Sequence, residues 1–480
     1  MSRYRIPDFD KKNIMIDKIY YSDLKILNYL FFNKKENLVI FDPENITDII
    51  EDDVIVIDFL GELEMFCNNA LTSFVLVNLS NQPLSKYAGL ETLEGIIDFS
   101  KFQTKDSTAY YFINNPDQSL RWLFPTKSTS ACFLNLYNGS GMKAFAFKEV
   151  AKKLSAMGWM KPIASGKFSI FSKAKNINHH FGKIAFDDFA IFTGTVGDDR
   201  KMVAALSENK ICKQFVKIPL TDSAEKLVKN EFQILDQLSE MNFKKLVVPK
   251  SQLTASGITV SNVQPKQSEK NTSFQDTHLK ALAELYEVDA KEMRVINLPL
   301  WETIERGMQN LKQVNTTRNG LPIQKVKQLT ELCQAIYNET KDGNEIVVGI
   351  GHGDFTPWNM YHANGKLHLY DWEMANTETP LLFDVFHYFF QKGILIERKN
   401  FKTIKSEIQE IMESADAQNI IQKYSIDWEK NYSIYLLYIV CYYLPKYAQQ
   451  SRLHEQVNWL TDVWREAMTD VHKIEKRVKV

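Results

Sequence analysis

Apolar residues fall into three regimes along the 480-residue chain. Near the start, the runs NLVIFD (37–42), DDVIVIDF (52–59) and SFVLVNLS (73–80) are apolar on successive residues and separated by polar stretches. Continuous Val- and Ile-rich runs predict strands buried on both faces, parallel and with helices between them, and so an α/β domain over residues 1–110. Asp42, Asp52, Asp53 and Asp58 mark the strand ends and read as turn and cap residues. Neither a Gly-x-Gly-x-x-Gly nor a phosphate-binding loop occurs there, so this part is assigned no nucleotide.

From about residue 110, NNPDQSLRWLFP (114–125), ACFLNLYN (131–138), MKAFAFKEVAKKLSAMG (142–158) and KFSIFSK (167–173) predict strand, strand, helix and strand. A similar order follows: a hairpin (188–208), a strand (211–220), a helix (223–241) with Leu227, Phe232, Leu235 and Leu238 as its apolar stripe, then two strands (246–250 and 257–263). A gapless alignment of the two segments sets Asn135 over Lys217 and Glu149 over Glu231. Residues 111–182 are therefore either a degenerate copy of 183–265 or an ordinary strand and helix unit. Beyond residue 277 helical periods dominate, including NYSIYLLYIVCYYLP (431–445), which predicts a buried helix.

Only residues 346–384 interrupt that helical part, and they carry the chemistry. An apolar run ends in Gly351-His352-Gly353-Asp354, Asn359 follows five residues later, and a short strand over 367–370 delivers Asp371. Asn364-Gly365 is a two-residue hairpin signal that would return Asp371 beside Asn359. One acid can accept a hydroxyl proton, while an amide oxygen and a second acid are hard ligands of the kind magnesium prefers. Phosphoryl transfer needs that combination.

HGDFTPWN (352–359), followed by YDWE (370–373) and by Leu382-Phe383-Asp384, resembles the catalytic loop and metal segment of the aminoglycoside phosphotransferase and choline kinase family, relatives of the protein kinases. The resemblance implies an α+β, protein-kinase-like two-lobed fold. A β-rich small lobe would cover 183–265 and a helical large lobe 266–480, with the N-terminal α/β region added. It implies Asp354 as catalytic base, Asn359 and Asp371 as Mg2+ ligands, His352 as a loop-orienting residue and Asp384 as a structural acid. Glu373 either assists the metal or is a solvated acid. In the small lobe it implies Lys217 as phosphate partner and Glu231 as its helix partner, with Lys213 a rival on the same side of the strand. Gly194 and Gly197 cover the phosphates through backbone amides or are plain turn glycines, and the backbone of Ser261 and Val263 is the adenine contact.

The implied activity is transfer of the γ-phosphate of ATP, with GTP left open, to a hydroxyl of a small molecule: a sugar, an aminoglycoside, a choline-like compound or a glycan precursor. The rival from another class is a catalytically inactive kinase-like scaffold or binding protein, against which the intact set from Lys217 to Asp371 argues. A protein kinase fits less well, because Asp-Phe-Gly and Ala-Pro-Glu are missing and only about ten residues follow Asp371 before the next helix.

Charge and composition narrow the partners. A formal net charge of -1 gives no nucleic-acid surface, and 44% hydrophobic with 24% charged residues is ordinary for a globular chain. The opening MSRYRIPDFDKKN has no signal-peptide core and the apolar run near 432–444 is too short to span a bilayer, so a cytoplasmic place is expected. Cys67, Cys132, Cys212, Cys333 and Cys441 lack metal or disulfide spacing and read as buried thiols in a reducing compartment. Nucleotide and small molecule are the expected partners, and no oligomeric state follows.

Overall fold

The computed structural model describes short strands and two helical positions within residues 15–78, then residues 107–137, 139, 141–171, 177–267, 273–314, 320–341, 345–449 and 456–478. Asp42, Asp52, Asp53, Asp58 and Cys67 lie outside the described residues. The chain is α+β and divides into two compact units, residues 1–229 with 251–262 and residues 230–250 with 263–480.

In the first unit β1 (Met15–Ile16) and β2 (Ile19–Tyr20) form a two-stranded antiparallel ribbon. Eleven further strands share one sheet. They are β3 (Leu38–Ile40), β4 (Val54–Ile57), β5 (Val75–Asn78), β6 (Ser107–Asn114), β7 (Leu120–Pro125), β8 (Gly166–Phe171), β9 (Asp188–Phe192), β10 (Lys201–Glu208), β11 (Ile211–Pro219), β13 (Ser251–Leu253) and β14 (Ile258–Ser261). Their order is 13-14-11-10-9-7-6-8-5-4-3; β12 (Leu246–Val247) belongs to the second unit. The three N-terminal strands pair in parallel, and the rest are antiparallel.

Successive strand residues face opposite sides of a sheet, and here both sides are covered. Ala190 of β9 packs with Trp122, Phe124, Phe133 and Ala151, the last on α1 (Gly141–Ala156). Its neighbours Phe189 and Ile191 pack with Val216, Ile218 and Phe181, the last on α2 (Ile177–Phe181). Ile26 and Leu30 join this second cluster.

Two expectations are corrected here. ACFLNLYN is not a strand: Cys132–Leu136 is a 3-10 helix, entered through Ala131 at φ 46 and tied by the Asn135 amide donating to the Cys132 carbonyl at 2.9 Å. Cys132 and Phe133 are buried in succession, which a one-faced strand forbids. The repeat reading falls with it, because Asn135 is on no strand and the strand order differs. After α1, β8 pairs with the first strand of the preceding hairpin, whereas β14 pairs with β11, the third strand of its segment.

The second unit is mainly helical. The helix α3 (Asp222–Ser239) crosses the division at residue 230. It is followed by α4 (Asp276–Asp289), α5 (Pro299–Gln313), α6 (Ile323–Thr340), α7 (Phe383–Gln391), α8 (Phe401–Met412), α9 (Ala415–Tyr424), α10 (Trp428–Gln449) and α11 (Gln456–Val478). The aromatic-rich run lies on α10 with its side chains largely buried, as its pattern predicts. Two small sheets support the motif residues. β15 (Lys291–Arg294), β16 (Glu345–Gly351) and β19 (Asn376–Pro380) form one. The other combines β12 with the hairpin β17 (Met360–Ala363) and β18 (Lys366–Leu369), which turns at Asn364-Gly365 with both φ positive, 52° and 67°. Among the described residues no helix is long and apolar enough to cross a membrane, and Cys132, Cys212, Cys333 and Cys441 are buried and free of disulfides.

Candidate active site

The loop leaving β16 is fastened by α7. The backbone N–H groups of His352 and Gly353 donate to the two carboxylate oxygens of buried Asp384, at 2.8 and 3.0 Å. The His352 ring is buried, with Nε2 3.0 Å from the Tyr370 carbonyl and Nδ1 3.3 Å from the Asp354 N–H. That pair of contacts assigns the neutral tautomer with its proton on Nε2, and burial, the main cause, pushes the ring's pKa down against the pull of Asp384 and Asp354. Gly353 has φ +78, and a Cβ there would stand 2.2 Å from the Met374 carbonyl oxygen, so only glycine lets this loop lie against the segment after Asp371.

Asp354 is held from both sides. Its Oδ2 accepts from Asn359 Nδ2 at 2.8 Å, and its Oδ1 lies 3.3 Å from His387 Nε2. The Asn359 Nδ2 also donates to the Asp354 carbonyl at 3.0 Å, which leaves the amide Oδ1 as the ligand atom that side chain can offer. Burial works to raise the Asp354 pKa, but the hydrogen bond and charge of His387, with His352, overcome it and keep the carboxyl below its ordinary range. His387 in turn has Nδ1 3.4 Å from the Tyr435 hydroxyl on α10.

The hairpin brings Asp371 back to this loop by the route the turn predicts: the Tyr370 N–H donates to the Asn359 carbonyl at 3.0 Å. Asp371 itself is left-handed, φ 67, and opens the 3-10 turn Trp372–Met374. Carboxylate oxygens of Glu231, Asp371 and Glu373 all lie within 4.8 Å of one another, a donor set suited to a hard cation. The α3 helix fixes the segment by its side chains. Glu231 accepts from the Trp372 N–H at 3.3 Å, and Asn230 donates to the carbonyls of Glu373 and Ala375 at 3.0 and 2.8 Å.

The remaining candidates on the first unit take these places. Lys217 is buried on β11, opposite Val203 and Ile258, while its rival Lys213 is exposed. Gly194 is required by its backbone, with φ +82 and a would-be Cβ 2.2 Å from the Lys201 carbonyl oxygen; Gly197 has open space around it. Ser261 ends β14 opposite Gln214. On the second unit, the Val263 carbonyl is engaged by the His368 ring at 2.8 Å. Sequence reasoning missed His387 and Asn230. His387 stands one helical turn after Asp384 in an aromatic run, a spacing that puts both on one face of α7. Asn230 precedes Glu231, and its signal was adjacency alone.

The second unit of this α+β protein thus sets an acid, hydrogen-bonded by an amide and beside an imidazole, on the same loop and hairpin as a group of three further carboxylates. No family model matches the chain, and no curated protein matches it. Solved structures of small-molecule kinases are similar to it. The ADP-bound aminoglycoside phosphotransferase APH(2'')-Ib is 13% identical over 62% of this chain and 99% of its own, with a TM-score of 0.39. The choline kinase LicA from Streptococcus pneumoniae is 16% identical over 58% of this chain and 92% of its own, TM-score 0.39. The amicoumacin kinase hAmiN in complex with AMP-PNP, Ca2+ and Ami is 11% identical over 58% and 90%, TM-score 0.34. At these identities and scores the chemistry rests on the residues of this chain.

Proposed function

We propose that the protein is a magnesium-dependent phosphotransferase that moves the γ-phosphate of ATP to a hydroxyl of a small molecule. The observation that carries this reading is Asp354, its pKa held down by His387 and its carboxylate positioned by Asn359, on the same loop and hairpin that end in the Glu231, Asp371 and Glu373 cluster. Its carboxylate accepts the proton of the acceptor hydroxyl as oxygen attacks phosphorus. Asn359 Oδ1 with Asp371, and Glu373 or Glu231 beside it, fit a hard divalent ion, since each offers oxygen and no softer donor is present among them. Such an ion, when bound, neutralises charge on the β- and γ-phosphates. Lys217 is the phosphate partner of the first unit, and the Gly194 turn offers backbone amides to the phosphates. His352 and Asp384 hold the loop. ATP and GTP are both admitted by these groups, and the acceptor is a sugar, an aminoglycoside, a choline-like compound or a glycan precursor.

The test follows thermal unfolding with and without Mg2+ and ATP, then assays phosphate transfer to a panel of hydroxylated metabolites. A ligand that binds only the native state raises the melting temperature. Wild type is expected to show a Mg2+-dependent rise that Asp371→Asn loses, and Asp354→Asn is expected to keep the rise while losing about 100- to 10,000-fold in transfer rate. No rise in wild type would overturn the reading in favour of an inactive scaffold.

A further inference from the structure

A cavity of about 330 Å³ opens in the helical unit among the end of α6, the middle of α8, the start of α10 and the later part of α11. It shares no lining residue with the loop and hairpin that hold Asp354 and Asp371. Its volume is that of a small-molecule site. Trp428, Tyr432, Ile408 and Val471 supply an apolar wall. Tyr432 is only 7% exposed, its ring packs edge-on against Phe386 at 5.2 Å, and its hydroxyl is buried with no hydrogen-bond partner among the described residues. A buried hydroxyl left in that state is costly unless something completes it.

The charges on the rim select what that is. Four carboxylates, Glu339, Asp427, Glu429 and Asp470, face two ammonium groups, Lys405 and Lys430. Lys405 is already paired with Asp470 at 2.6 Å, and Glu339 lies 3.1 Å from His472. Asp427 accepts the Lys430 backbone N–H at 3.1 Å and steadies a Lys430 ammonium that burial disfavours. Glu429 is exposed at the first turn of α10 and adds the surplus negative charge beside two aromatic faces. Aromatic faces with an unmatched carboxylate attract an ammonium group. We infer that this cavity is a second ligand site, built for a small organic amine whose apolar body lies on Trp428 and Tyr432 and whose nitrogen meets Glu429 and the Tyr432 hydroxyl.

Binding of phenethylamine to the full chain, read by calorimetry and by melting temperature, tests this against 2-phenylethanol and 3-phenylpropionate, which match its shape without its charge. Phenethylamine is expected to bind saturably and about tenfold more tightly than the alcohol. Glu429→Gln, an exposed change that leaves the core intact, is expected to abolish that preference, and Asp371→Asn to preserve it. Tyr432→Phe should raise the melting temperature of the free protein and weaken amine binding together. Equal binding of all three probes, a preference that survives Glu429→Gln, unchanged binding in Tyr432→Phe, loss in Asp371→Asn, or no binding of phenethylamine at millimolar concentration would each overturn the site.

Discussion

Asp354 owes its lowered pKa to neighbours that no reading of HGDFTPWN could supply. The motif marks Asp354, Asn359 and Asp371 because their types and spacing are themselves the chemistry. His387 comes from a helix 33 residues further on, and in the sequence it looks like one more ring among phenylalanines. Its effect has a definite sign. The folded Asp354 carboxyl titrates below its ordinary value, so it keeps its charge to lower pH than a free carboxyl and loses it only as pH falls through the depressed value. His387→Phe keeps the packing on Tyr435 but removes the hydrogen bond and the charge. The acid limb of the pH profile for phosphate transfer is then expected to move to higher pH. A limb that stays put would show that His387 does not set the base.

The segment from β16 to α7 was legible as an order of elements, with Asn364-Gly365 setting the hairpin. What the order does not reveal is that α7 returns to cap a loop 31 and 32 residues earlier through both oxygens of Asp384. Asp384→Ala leaves two buried backbone donors without acceptors, at about 1–3 kcal/mol each. Chemical denaturation of this variant is expected to show a loss of about 2–5 kcal/mol; a loss under 1 kcal/mol would mean that the loop holds itself. The Cys132–Leu136 turn was misread for the opposite reason. Apolar alternation is a prior on burial, and here a 3-10 helix buries neighbouring residues at once, entered through a left-handed Ala131 that no residue type announces.

Sequence divided residues 1–265 into three blocks, yet strands from all three lie in one sheet. Local patterns show where strands are and say little about which edges meet, because the partner of each strand is chosen by distant residues. The parallel trio β3 to β5 is joined through β8, with Leu76 opposite Phe171, and Ile26 and Leu30 share a core with Phe181 and Ile191. Residues 107–480 expressed alone would therefore uncover one edge of β8 and part of that core. Such a piece is expected to aggregate or to melt well below the full chain. A monomer with unchanged melting temperature would make the N-terminal strands a separable module.

The place of β8 also sets a timetable. Its neighbours β5 and β6 both precede it in the chain. As the protein leaves the ribosome, β3 to β5 can gather as one patch and β6 with β7 as a hairpin, but the two stay apart until Phe171 has emerged. At ordinary elongation speeds that wait is roughly 5 to 20 s after Asn78. From the completion of β7 at Pro125 onwards, about the last half of that wait, two half-sheets with open edges coexist, which makes the nascent chain a natural client for holding chaperones.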